Sequence, residues 1–295
     1  MTRRQVRIAY QGEPGAYSEA AALRFEPEAE TRPLRSFEEV FAAVTGGHTT
    51  HGILPMENSI GGSIHRNYDL LLEHDLPIVG EVELRVEHCL LAHPGSTLAD
   101  LRAIHSHPQA LAQCERFLRG LDGVEIVAIY DTAGGARLIR EQALRDVGAI
   151  ASRRAAEVFG LEVLRENLED PGLNITRFFV IGRAPAPPGE ADKTTVVFAL
   201  PSVPGALFKA LSVFALRDIN LTKLESRPVR GRPWEYLFYA DLAVARQDLT
   251  CAQALVHLAE FARWTKTLGT YRAWREPASE VSAPTAPVPV EEANG

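Results

Sequence analysis

Between Val6 and Gly182, short apolar runs alternate with stretches whose apolar residues recur at helical spacing. The runs at 6–10, 52–55, 78–83, 88–93, 124–129, 148–151 and 178–181 predict strands. The stretches at 18–25, 37–44, 64–72, 108–118 and 132–143 predict amphipathic helices. That alternation predicts α/β layers with largely parallel sheets. In such sheets ligands sit beyond the carboxyl ends of the strands, where the loops carry the chemistry.

A break follows at Ala184-Pro185-Ala186-Pro187-Pro188-Gly189, which is proline-rich and without periodicity. Beyond it the pattern restarts. A strand is expected at 194–200 and a helix at 204–216, with Leu207, Phe208, Leu211, Phe214 and Ala215 on one stripe. Strands at 221–226 and 236–243, a helix at 252–262 and a strand at 269–274 complete a βαββαβ order, that of a ferredoxin-like unit. The chain therefore divides into a first unit at 1–184, a linker at 185–193, a second unit at 194–275 and a tail at 276–295. The tail is rich in Pro, Ala and Glu and is expected to be disordered.

A length of 295 residues accommodates two such units, and an apolar fraction of 46% with 23% charged residues fits a globular chain. The formal charge of −7, without a basic block, leaves no electrostatic footprint for nucleic acid or an anionic membrane. An anionic substrate would have to be held by local donors against the global field. No run of about eighteen apolar residues occurs. The basic start from Met1 to Arg7 is not followed by a signal-peptide core or cleavage site. Cys89, Cys114 and Cys251 are widely spaced, which suits reduced thiols in a cytoplasm and neither a disulfide framework nor a zinc site.

Three loops, at 11–18, 55–63 and 130–136, run from a strand end through small or hydroxyl residues into a helix start. Each offers backbone N–H groups suited to a carboxylate or phosphate, although plain N-capping explains any one alone. None is a Walker loop or a Gly-x-Gly-x-x-Gly fingerprint. In a fourth loop, at 104–110, His105 and His107 share a face, but no Cys, Asp or Glu stands at ligand spacing, so no metal is expected. Ser106 there reads as the cap of a helix beginning near Pro108. Neither Ser59 nor Ser106 sits in a Gly-x-Ser-x-Gly elbow. The stretch Asn174-Ile175-Thr176-Arg177-Phe178 puts a hydroxyl, a cation and a ring on consecutive residues entering a strand. Alternation sends Thr176 and Phe178 to one face and Arg177 to the other. An ordinary half-buried strand would look the same. In the second unit Gly205 permits close approach of a ligand or backbone. Glu225 and Arg227 could hold an amino acid's ammonium and carboxylate, or form a surface ion pair.

These motifs together resemble the prephenate dehydratase family with a C-terminal ACT regulatory domain. The resemblance rests on Gly12-x-Pro14-Gly15-Ala16-Tyr17-Ser18, Pro55-Met56-Glu57-Asn58-Ser59, Ser106-His107-Pro108-Gln109-Ala110, Asp131-Thr132-Ala133, Thr176-Arg177-Phe178, Gly205-Ala206-Leu207 and Glu225-Ser226-Arg227-Pro228. The stretches at 9–12, 61–69 and 111–114 are also similar to plant arogenate dehydratases. The resemblance implies a two-lobed type II periplasmic-binding-protein-like catalytic domain with its site in the cleft. It implies loss of carbon dioxide and the ring hydroxyl from prephenate, giving phenylpyruvate for phenylalanine biosynthesis, with no cofactor because aromatisation supplies the drive. Thr176 would be the catalytic donor to the departing hydroxyl. Asn58, Ser59, Ser106, Gln109 and Thr132 would bind substrate, with Arg177 clamping a carboxylate and Phe178 excluding water. Gly205, Ala206, Leu207, Asn220, Leu221, Glu225, Ser226 and Arg227 would bind L-phenylalanine between paired ACT modules, making a regulated homodimer or homotetramer. Two other readings stay open: an arogenate dehydratase, with Glu57 or Glu13 meeting the substrate ammonium, and a non-catalytic amino-acid sensor.

Overall fold

The structure, a computed structural model, describes residues 5–229, 231–232 and 234–276. The expected disordered tail lies, from residue 277 onward, outside the described residues. The first lobe is built on strands Arg7–Gln11, Glu30–Leu34, His51–Asn58, Ile78–Arg85 and Ile175–Gly182, with helices Tyr17–Phe25, Phe37–Thr45 and His65–Glu73 packed on them. The chain crosses at 86–88 into a second lobe. Its five-stranded sheet has the order Glu162–Arg165, Cys89–Ala92, Val147–Ala151, Ala103–Ser106, Glu125–Ala128. It returns through 166–174. The two crossings run side by side, because Val86 N–H donates to the Asn174 carbonyl at 2.8 Å and Leu168 N–H to the His88 carbonyl at 3.0 Å.

The sheets are not largely parallel, as the alternation suggested. Ile175–Gly182 comes back from the second lobe and inserts antiparallel between His51–Asn58 and Ile78–Arg85. A strand that returns from another lobe has no crossover helix to set its direction, so the βαβ rule does not govern it. Several elements were also unread in the sequence. Glu30–Leu34 is a largely exposed edge strand that contains Pro33, which a strand edge tolerates. Ala103–Ser106, Glu162–Arg165 and helix Arg153–Phe159 are each too short to show a period.

The C-terminal unit has the expected βαββαβ order: strands Lys193–Ala199, Leu221–Pro228, Tyr236–Leu242 and Trp264–Tyr271, with helices Ala206–Ala215 and Leu249–Phe261. Alternation along Lys193–Ala199 sends Val196 and Phe198 to a core beneath the helices and Val197 to the core of the first lobe. Tyr239 meets Tyr68 edge-on at 5.0 Å between ring centroids, and Tyr271 meets Phe179 at 5.9 Å. The two sheets join where Gly269 lies opposite Ile78. A Cβ at 269 would fall 2.2 Å from the Ile78 carbonyl oxygen, so only glycine allows the join. The units thus share one ten-stranded sheet and do not hang apart on a linker. Among the described residues no helix is long and apolar enough to cross a membrane.

Candidate active site in the cleft

A cavity of about 700 Å³ opens between the lobes. The ends of His51–Asn58 and Ile175–Gly182 form its floor, and loops 11–18, 61–64 and 130–132 with helix Pro108–Gln113 form its walls. The structure brings together Asn58, Gln109, Thr132, Thr176 and Phe178 from the residues singled out above. Thr176 is buried and accepts from Asn58 Nδ2 at 3.0 Å, while Phe178 is only 1% exposed beside it. Asn58 is itself held from both ends. Its Oδ1 accepts from the backbone N–H groups of Ile60 at 3.1 Å and Gly61 at 2.7 Å, and its Nδ2 reaches Asn174 Oδ1 at 2.7 Å. Gly61 has no Cβ because one would lie 1.9 Å from Gln109 Nε2. That absence lets an amide from the second lobe reach a loop of the first.

Helix N-termini converge on the same space. Tyr17–Phe25 starts at Ala16, which has no side-chain cap of its own, and Thr132–Gln142 is capped by Asp131. Orphan N–H groups at such ends suit a carboxylate. No Lys or Arg lies among the described residues that line the cavity, whereas the carboxylates Glu38 and Asp131 do. A backbone N–H and the Arg66 guanidinium hold the Glu38 carboxyl below its usual range.

Three expected substrate ligands are elsewhere. Arg177 follows strict alternation and points to the opposite face of the sheet, away from the cavity. There it pairs with Asp241 of the C-terminal unit, lies 3.7 Å from both Glu81 and Glu57, and stacks 4.9 Å over the Phe179 ring. Burial alone would lower the Arg177 pKa, but the Asp241 carboxylate raises it above the ordinary value. A guanidinium neutralised there cannot also clamp a substrate in the cleft. Ser59 also lies outside the cavity, with its hydroxyl tied to the Ile175 N–H at 2.9 Å and to the Leu173 carbonyl. Ser106 is fully buried and donates to the Ile150 carbonyl at 2.6 Å. The helix cap is His107, whose Nδ1 accepts from Gln109 N–H at 3.2 Å. Glu57 is likewise unavailable to a substrate ammonium in the cleft, because Lys223 holds it at 2.8 Å behind the sheet. Glu13 pairs with Arg137 at 3.5 Å outside the cavity.

In the C-terminal unit Gly205 takes a left-handed φ of 74° at the start of helix Ala206–Ala215. Leu207, Asn220 and Ser226 are exposed, and Ala206 and Leu221 half-buried. Glu225 and Arg227 instead share the face that meets the first lobe. Glu225 accepts from Ser63 at 2.7 Å, and Arg227 contacts Asp69 at 3.3 Å. Alternation along Leu221–Pro228 therefore separates two of the expected effector ligands from the exposed ones.

Sequence reading missed residues of the cleft as chemical groups, among them Tyr17, Glu38, His88 and Gln113. They come from separate elements, and no local spacing marks them.

A two-lobed α/β cleft lined by amides, hydroxyls and helix N-termini, fused to a ferredoxin-like module, defines a class of small-molecule enzyme with an appended domain. Residues 8–186 match the family model described as prephenate dehydratase, and 194–254 match that of the ACT domain. The chain is 49% identical to arogenate dehydratase/prephenate dehydratase 2, chloroplastic, of Arabidopsis thaliana, over 90% of this chain and 73% of that protein. It is 49% identical to arogenate dehydratase 2 of Petunia hybrida, over 90% of this chain and 72% of that one. Among solved structures, prephenate dehydratase in complex with L-Phe from Arthrobacter aurescens is 32% identical, with a TM-score of 0.82 over 90% of each chain. A protein described as GqqA, a novel type of quorum quenching acylase, is 42% identical, with a TM-score of 0.84 over 91% of this chain and 98% of that one. The chain belongs to the prephenate dehydratase family, with an ACT domain following the catalytic unit.

Proposed function

We propose that the chain converts prephenate to phenylpyruvate, carbon dioxide and water, with catalysis in residues 1–184 and regulation by L-phenylalanine through residues 194–275. The observation that carries this reading is the Thr176 hydroxyl on the floor of the cleft. Its oxygen is occupied as an acceptor from Asn58, and no acceptor for its proton lies among the described residues. The reaction consumes one proton: the departing hydroxide becomes water, while the electrons of the carboxylate that leaves as carbon dioxide enter the ring. A positioned donor at the leaving oxygen meets that demand. Asn58, Gln109 and Thr132 supply polar contacts, and Phe178 excludes water. The regulatory half is supported by the ACT match and by the L-Phe complex of the Arthrobacter relative. Two copies pairing through this module would form a homodimer or homotetramer. Three buried free thiols fit a reducing compartment such as a cytoplasm.

One observation favours arogenate as a second substrate. Glu38 and Asp131 face the cavity while Lys and Arg do not, and a substrate bearing an ammonium is less repelled there than a dianion. Acyl transfer, raised by the GqqA likeness, finds less support. Burial pushes the Cys89 thiol up to about 11 and the Cys114 thiol up to about 12, and Thr176 is met by an amide N–H and not by a base. The test is kcat/KM of the purified chain on prephenate and on arogenate. Faster prephenate turnover is expected. A preference for arogenate selects the second reading, and turnover of neither sinks both.

A further inference from the structure

Behind Thr176 lies an unbroken run of side-chain hydrogen bonds whose directions can be read outward from the backbone. Asn58 Oδ1 accepts from two backbone N–H groups, which can only donate, so the other end of that amide must be its Nδ2. The Ile175 carbonyl, 3.3 Å from Nδ2, requires the same orientation. Asn58 Nδ2 then donates both to Thr176 Oγ at 3.0 Å and to Asn174 Oδ1 at 2.7 Å. With its oxygen committed, Asn174 donates through Nδ2 to Gln113 Oε1 at 3.0 Å. The same Gln113 oxygen stands 2.8 Å from His88 Nε2, and an oxygen that already accepts demands a second donor. His88 Nε2 therefore carries a hydrogen. On the far side of the ring, Nδ1 is 2.8 Å from the Tyr17 hydroxyl.

The geometry points to His88 as a positioning residue for the dehydration: its Nε2–H closes the chain Gln113–Asn174–Asn58 that holds the Thr176 oxygen as an acceptor and turns the Thr176 proton into the cleft. This rests on the dehydratase reading of the cleft. The chain sits at the hinge, since His88 ends one crossing between the lobes and Asn174 the other, while Gln113 belongs to the second lobe and Asn58 to the first. Lobe position and the direction of the reacting hydroxyl are thereby held by one set of bonds. In the proton balance the Thr176 hydroxyl donates toward the leaving oxygen and is restored from the proton the reaction takes up from solvent. His88 orients and is not consumed.

Both charge states of His88 preserve the chain. As the neutral ring, Nδ1 accepts from the Tyr17 hydroxyl. As the cation, Nδ1–H donates to the Tyr17 oxygen, and the Tyr17 proton turns to the Glu87 carbonyl 2.8 Å away. Nε2–H points at Gln113 in either case. The titratable groups around the ring are Tyr17 from the first helix, Cys114 beyond Gln113, Glu169 on the returning crossing, whose carboxylate accepts from His88 N–H at 2.9 Å, and Glu87 and Cys89 beside it. Burial lowers the His88 pKa below its usual 6.5, against smaller raising effects from Gln113 and Glu169, so the neutral ring prevails near neutrality.

The first test needs no substrate. In the full chain labelled with 15N-histidine, long-range 1H–15N spectra near neutral pH should show His88 protonated at Nε2 and bare at Nδ1, with the signal assigned by its loss in His88→Gln. A His88 protonated only at Nδ1 would overturn the proposal whether or not the chain is a dehydratase. The second test is kinetic, on whichever of the two substrates turns over. His88→Leu removes the donor and should lower kcat by about 10–100-fold with little change in KM, the scale of a misplaced catalytic group. His88→Gln, whose amide nitrogen can occupy the Nε2 position, should recover most of that loss. Asn58→Asp is nearly isosteric but turns the donor facing Thr176 into an acceptor that captures the Thr176 proton, so kcat should collapse. Equal activity of folded His88→Leu and His88→Gln, or near-normal kcat in Asn58→Asp, would count decisively against the chain.

Discussion

At the scale of single residues, the proposed chemistry depends on what Thr176 can donate. An aliphatic hydroxyl is a weak acid, so its value lies in direction, and the Asn58 amide supplies that by occupying the oxygen. Thr176→Ala should lower kcat by about 10²–10⁴-fold while KM changes little, because the interaction lost belongs to the departing group. Steady-state kinetics with a circular-dichroism check on folding would show it; normal turnover would remove Thr176 from the mechanism. The buried His88 also makes stability depend on pH. Its folded pKa is below 6.5, so between that lowered value and 6.5 the unfolded chain binds a proton that the folded chain does not. Stability should therefore fall as the pH drops below 6.5. His51, lowered by burial, has the same sign. Urea midpoints at about pH 7.5 and about pH 5.5 should differ in the native chain and differ less in His88→Gln.

A single element, strand Ile175–Gly182, serves the cleft with one face and the ACT sheet with the other. Thr176 and Phe178 look into the cleft, while Arg177 and Phe179 look toward the ACT sheet. Thr195 and Tyr271 support the acceptor side, since Thr195 Oγ donates to Asp241 at 2.7 Å and meets the Tyr271 hydroxyl at 2.7 Å. Lys193 joins by holding Glu81 at 2.8 Å. Removing one partner of a buried pair leaves an uncompensated charge, which typically costs about 3–5 kcal/mol. Asp241→Ala should cost close to the lower end, because Glu81 and Glu57 remain near the guanidinium. Equilibrium unfolding gives the number, and a loss under about 1 kcal/mol would place the pair among solvent-screened ones. The carboxylate-clamp reading of Arg177 failed for a physical reason visible in the pentapeptide itself: three consecutive strand residues cannot share a face.

For the whole molecule, the shared ten-stranded sheet makes the ACT unit a continuation of the first lobe. A change at the ACT sheet can reach Arg177 without a linker in between. The outer surface of the ACT unit exposes Val203, Leu207, Phe208 and Leu216, with Phe208 76% exposed. An apolar surface of this kind suits self-association. Phe208→Asp should reduce the particle mass measured by light scattering and weaken any response to L-phenylalanine while leaving cleft chemistry in place. An unchanged mass would exclude this surface from self-association.

The sequence by itself determined the βαββαβ order of the C-terminal unit, most elements of the two lobes and the loops that form the cleft, because hydrophobic period and turn chemistry are local properties. It also marked Asn58, Gln109, Thr132, Thr176 and Phe178, which stand in short motifs near strand ends and helix starts. Tertiary structure alone decided which face each side chain serves. It sent Ser59 and Ser106 into backbone bonds, and turned Glu225 and Arg227 toward the first lobe, since a partner's position depends on contacts distant in sequence. The His88–Gln113–Asn174–Asn58 chain draws on segments up to 116 residues apart, with Asn58 and Asn174 its widest pair. Hydrogen-bond direction within it follows only when every donor has been given its acceptor in space.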